Sequence, residues 1–138
     1  PNSSVNKFWT AWKQQCRLLL PLERSSTTFV NMLGPMSHRH QAWDPDLLEE
    51  WNKAALAKLP SFQVLDIALM NKFYASMQNQ GLISTNDRET CNILFEAIPI
   101  LENKLNAAEK VGGWDISDFI YSFGILYATK RGKRKRFK

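Results

Sequence analysis

Apolar residues recur at steps of three and four along most of the chain, and few stretches alternate apolar and polar positions as a half-buried strand would. Phe8, Trp9, Trp12, Cys16, Leu19 and Leu20 form the first such stripe. Asn2, Ser3 and Ser4 offer capping side chains before it, and Pro21 cannot continue it. Residues 21–45 are less regular. Ser25 or Ser26 is placed to cap a short turn through Phe29, Val30 and Leu33, and Gly34-Pro35 reads as its stop.

Asp44-Pro45-Asp46 is a strong start signal. A capping acid precedes a proline at the first helical position, and a second acid favours the helix dipole. Leu47, Leu48, Trp51, Ala55, Leu56 and Leu59 follow as a buried stripe that ends at Pro60. Ser61 is the expected cap of the next helix, whose stripe is Phe62, Leu65, Leu69, Phe73 and Met77. Gly81 is its expected left-handed stop, with Leu82 folding back. Asn86 with Glu89 has the spacing of a capping box. Cys91, Leu94, Phe95, Ile98, Leu101 and Leu105 continue at helical spacing, and Pro99 inside that run predicts a kink or a split. After Gly112-Gly113, Asp115 or Ser117 caps a last helix with Ile116, Phe119, Ile120, Phe123 and Leu126 on one face.

The expected fold is therefore all-α, a bundle of five or six helices built from antiparallel α-hairpins with an extended basic C-terminal tail. Helices are expected near 5–20, 46–59, 62–80, 87–109 and 116–130. Trp12, Trp51, Phe73, Phe95 and Phe123 are expected to share one core, with Trp9 most readily read as core too. Residues 1–129 form the helical domain, with 1–45 as an N-terminal helix plus irregular segment and 46–129 as the hairpin core. Residues 130–138 form the tail.

Composition narrows the class. With 138 residues, 44% hydrophobic and 22% charged, the chain is suited to one globular domain that needs neither disulfides nor metal to fold. Two cysteines, Cys16 and Cys91, exclude a disulfide-dense module and a Cys-rich zinc fold. No apolar run approaches the ~18 residues of a membrane span. A start at Pro1 reads as a processed chain or a fragment, and no signal peptide is evident near it.

Charge changes the picture more. The net +5 is unevenly placed: residues 130–138 carry seven Lys or Arg and no acid. Residues 1–43 hold five Lys or Arg against Glu23, whereas residues 44–129 hold six against twelve Asp or Glu. The body is thus mildly acidic and the end strongly cationic. Lys130, Arg131, Lys133, Arg134, Lys135, Arg136 and Lys138 repel one another in a free chain, and phosphate relieves that repulsion with counterion release. Phe137 is placed to stack on a base. These residues and Arg39 of His38-Arg39-His40 are the candidate RNA contacts. An acidic protein surface or a nuclear import receptor would read the same run. The two histidines lack acids or thiols at ligand spacing, so no metal site is expected.

Catalytic signatures are missing: there is no G-x-S-x-G, Walker loop, H-E-x-x-H or dinucleotide fingerprint. Cys16 and Cys91 fall on apolar faces and read as core thiols. Neither catalytic residue, cofactor nor small-molecule substrate is expected.

Trp43-Asp44 and Trp114-Asp115 each open a helix, 71 residues apart, near twice the length of a two-helix repeat. The segment from Trp114 to Ala128, with Asp115, Ser117, Phe119, Phe123 and Gly124-Ile125-Leu126, resembles a helix of the organellar octotricopeptide and FAST-kinase-like repeat families. Residues 47–59 are similar but lack the Leu-Ser element of those helices. The resemblance implies α-hairpin repeats acting in organellar RNA processing or organellar ribosomes. The expectation is a structural component of a large ribonucleoprotein, foremost a mitochondrial ribosome. Its body would meet neighbouring proteins and its tail rRNA. The alternative is a protein-interaction module, or a helical subunit of an organellar complex, with a tail that binds an acidic partner or directs nuclear import.

Overall fold

The computed structural model describes residues 2–84 and 87–106. All regular structure among them is helical: α1 (Asn2–Leu19), α2 (Ser26–Asn31), α3 (Leu33–His38), α4 (Pro45–Lys58), α5 (Val64–Asn79) and α6 (Arg88–Asn106). Short 3₁₀ turns at His40–Ala42 and Leu59–Ser61 join α3 to α4 and α4 to α5. The all-α expectation holds. The expected last helix, the capping role of Asn86 and the basic tail lie outside the described residues.

The strongest start and stop signals act as their chemistry dictates. Asp44 caps α4, its Oδ1 accepting from the N–H groups of Asp46 and Leu47 at 2.9 and 3.2 Å, with Pro45 at the position that needs no donor. At the end of α5, Gly81 takes a φ of +76°. Its N–H donates to the Gln78 carbonyl and the Leu82 N–H to the Met77 carbonyl, both at 2.9 Å, which closes the helix in a Schellman motif. Asp87 opens α6 by accepting from the Thr90 N–H and hydroxyl at 3.2 and 2.7 Å.

Helix α5 is the centre of the molecule and packs against α2, α3 and α6. It buries Val64, Ile67, Met70, Phe73, Tyr74 and Met77. Leu65, expected inside, is exposed: it lies seven residues from exposed Lys72, on the arc of α5 that its three neighbours leave open. Trp51 of α4 lies on Phe29 of α2, ring centroids 5.0 Å apart and nearly parallel. The Asp66 side chain, fully buried in the first turn of α5, accepts from Ser26 Oγ at 2.5 Å, Thr27 Oγ1 at 2.9 Å and its own helix's Gln63 N–H at 2.8 Å. Three donors around one carboxylate lock α2 onto the start of α5.

Several expectations are corrected. Gly34-Pro35 does not stop a helix. Both residues fall in the first turn of α3, where a missing N–H has no intrahelical acceptor to lose. Ser61 does not cap α5; its hydroxyl donates back to the Lys58 carbonyl at 2.6 Å, and Gln63 takes the cap position. Pro99 does not split α6, which runs unbroken from Arg88 to Asn106. The residue lies on the exposed side, where water can stand in for the missing donor. Phe95 is 43% exposed, outside the core. The buried face of α6 is Cys91, Ile93, Leu94, Ala97 and Leu101, and Phe95 sits one residue, about 100° of turn, beyond Leu94. Ile98 and Leu105 are likewise exposed.

Helix α1 is the other departure. It meets the body through the His40–Ala42 turn and α4; Cys16 is its one buried residue among those whose burial is described, and Leu20 is buried just past its end. Arg17 fastens it, its guanidinium 3.1 Å from Asp44 and 2.8 Å from Glu50. Trp12 is half-buried against the core. Trp9 is half-buried outside the core, edge-on to Phe8 and to Trp12 at 4.9 and 5.4 Å. Phe8, Leu19 and, on α4, Leu56 are exposed against expectation.

Candidate functional site

Of the expected RNA contacts, the described residues include only Arg39. Lys130, Arg131, Lys133, Arg134, Lys135, Arg136, Phe137 and Lys138 lie outside them. Arg39 terminates α3 in an extended conformation. Its N–H donates to the Pro35 carbonyl at 2.8 Å, and its carbonyl accepts from Ala42 at 3.0 Å. With the backbone pinned on both sides, the guanidinium is presented to solvent between exposed His38 and His40. Among the described residues no acid pairs with Arg39. The His38 ring stands edge-on to Phe73 at 6.2 Å. Among the described residues, no group of three His, Cys, Asp or Glu is placed to hold a metal ion.

A concavity lies elsewhere among the described residues. A groove of about 840 Å³ runs between the first half of α4, residues 81–84 and the start of α6. Local signals build its walls: the Asp44-Pro45 start aims α4, Gly81 turns the chain back, and Asp87 starts α6 beside it. Asp46, Glu49 and Asp87 contribute carboxylates, with Lys53 paired to Glu49 at 3.4 Å. Leu48, Leu56, Leu82 and Ile83 supply apolar lining. Carboxylates in this number disfavour a phosphate and favour a cationic or apolar partner.

Asn52 lines the groove with its polar groups already engaged. Its Oδ1 accepts from the buried Tyr74 hydroxyl, and its Nδ2 donates to the Thr90 carbonyl at 3.1 Å. Burial pushes the Tyr74 hydroxyl well above the usual phenol range, with Cys91 nearby adding to the effect and the Asn52 hydrogen bond opposing it. Tyr74 therefore stays protonated at neutral pH and works as a structural donor that ties α5 through Asn52 to α6. Both cysteines are free thiols in the core. Burial raises Cys16 to about 11 against the opposing charge of Arg17, which leaves little thiolate at neutral pH. The Cys91 thiol donates to the Ser84 carbonyl at 3.5 Å.

Sequence reasoning missed the groove and the Tyr74–Asn52–Thr90 connection. Asn52 directly follows Trp51, so its position beside the apolar stripe was the available sign of a buried amide. The groove has no local signal, since residues of α4, the 81–84 turn and α6 meet only in the folded chain. Comparison with protein-family models, curated proteins and solved structures finds no match.

Proposed function

We propose that the chain is a non-catalytic structural component of a large ribonucleoprotein, foremost a mitochondrial ribosome. In this reading antiparallel α-hairpins form a body that packs on neighbouring proteins, and residues 130–138 contact rRNA. The observation that carries the reading is the separation of charge: seven Lys or Arg and no acid in the last nine residues, against twelve acids and six bases in residues 44–129. Phosphate contacts suit the first and not the second.

The acidic groove supports the same division of roles. Asp46, Glu49 and Asp87 make that side of the body a poor surface for RNA and a better one for protein. Exposed Arg39, on the α3 corner away from any described acid partner, is an accessory phosphate contact. The resemblance of residues 114–128 to organellar RNA-processing repeats points the same way and is the ground for a mitochondrial location.

The test is RNA binding by the intact chain across a salt series, with a chain lacking residues 130–138 as control. Salt-dependent binding that disappears with the tail supports the reading. Equal binding by both chains refutes the tail's role. A chain that binds no RNA, while its tail holds an acidic protein or an import receptor, moves the protein to the interaction-module class.

A further inference from the structure

The groove between α4, residues 81–84 and α6 combines two kinds of lining. Asp46, Glu49 and Asp87 stand there with a single base, Lys53, so negative charge is in excess. Asp87 keeps its charge while it opens α6, because the Thr90 N–H and hydroxyl that it accepts from are neutral donors. The Lys53–Glu49 pair is exposed at both ends, so a second cation can share or replace it at little cost. Among these charges lies apolar surface: Leu56 is 39% exposed, and Leu82 and Ile83 are half-buried. Asn52 is held by Tyr74 and Thr90, so selection in the groove falls to charge and apolar area.

A ligand of complementary chemistry is present in the same chain. Residues 130–138 join seven Lys or Arg to one aromatic, Phe137, which stands between Arg136 and Lys138. Cations on both sides of a ring match carboxylates set around apolar surface. Residues 107–129 connect the end of α6 to this segment. The groove meets α6 at the opposite end, at Asp87, Thr90 and Asn92, about 20–30 Å away at 1.5 Å per helical residue. A connection of that length spans up to about 80 Å extended and roughly 25 Å as a flexible coil, so it reaches. A tethered segment meets the groove at an effective concentration on the order of millimolar, ahead of a free partner of the same chemistry.

We propose that the groove is the docking site of the chain's own basic tail. Phe137 enters among Leu56, Leu82 and Ile83, and the Lys and Arg on either side pair with Asp46, Glu49 and Asp87. The contact masks the tail: a polyanion must displace the groove before it gains the tail's cations, and its apparent affinity is scaled by the fraction of tails undocked. The inference goes beyond the ribonucleoprotein reading. It rests on the separation of charge and not on RNA, so the two fail separately.

The test is paramagnetic broadening of amide signals in the full chain, without nucleic acid. Lys138→Cys places a thiol at the end of the tail for a nitroxide label, while Cys16 and Cys91 are buried. At low salt the label should broaden the amide signals of Leu56, Leu82 and Ile83, and high salt should restore them. The triple variant Asp46→Asn/Glu49→Gln/Asp87→Asn keeps side-chain shape, and Asn still caps a helix. With its spectrum otherwise native, it should lose the broadening. Glu96→Gln/Glu102→Gln, at exposed acids elsewhere on α6, should retain it. Groove signals that stay sharp in the labelled chain with all its acids overturn the proposal, as does equal broadening in the triple variant. Broadening that falls on dilution also overturns it, because the groove then holds the tail of a second copy.

Discussion

The indole N–H of Trp51 donates to the Phe29 carbonyl at 3.0 Å while the two rings lie stacked with centroids 5.0 Å apart. One side chain thus supplies both apolar burial and a partner for a main-chain carbonyl of a neighbouring helix. The two contributions can be separated by substitution. Trp51→Ala should lower the unfolding free energy by about 3–5 kcal/mol, the range for a buried large aromatic. Trp51→Phe keeps most of the stacking but removes one of two donors to the Phe29 carbonyl, the other being the Met32 N–H at 3.3 Å, and should lower it by roughly 0.5–1.5 kcal/mol. Urea denaturation followed by far-UV circular dichroism measures both. An unchanged stability in Trp51→Phe would show that the hydrogen bond contributes nothing.

Asp44 makes stability depend on acid pH. Burial works against its carboxylate. The hydrogen bonds from the Leu47 N–H, the Arg17 guanidinium and the Asp46 N–H outweigh that effect and hold its pKa below the ordinary 3.8. The stabilisation is therefore complete above the unfolded-state value and is lost as pH falls through the lower folded value. Asn at this position still caps the helix but does not titrate. Thermal unfolding at pH 5 and pH 2.5 should show a larger fall in the native chain than in Asp44→Asn. The same fall in both would place the acid sensitivity elsewhere.

How far the sequence could be read is visible in these two residues. Asp44-Pro45-Asp46 and Gly81 carry information in their own backbone preferences, so α4's start and α5's stop were legible to within a residue. Phe95, Phe8 and Leu65 were misjudged because helical periodicity gives a face and not its neighbour. Which arc is covered depends on where α6, α1 and α5 meet other elements. Pro99 did not split α6 because the effect of a missing donor depends on which side faces water. Arg39 was legible as an exposed cation but not as a corner fixed by hydrogen bonds on both sides.

Thiol chemistry gives a direct check on the core. Cys16 is buried and raised to about 11, and Cys91 is buried beside the Ser84 carbonyl. Neither should react with a disulfide reagent at neutral pH in the native chain, and both should react at once in denaturant. Fast labelling of one thiol in the folded chain would expose an opening that this packing does not contain.

The central claim is that function is divided between an acidic helical body and a cationic end, and the salt dependence of RNA affinity tests it most directly. Seven phosphate contacts to a single strand predict a log–log slope of about −5, at roughly −0.7 per contact. Removal of residues 130–138 should bring that slope close to zero and weaken all RNA sequences alike, because phosphate contacts carry no base identity. A steep slope that survives removal of the tail would contradict the account.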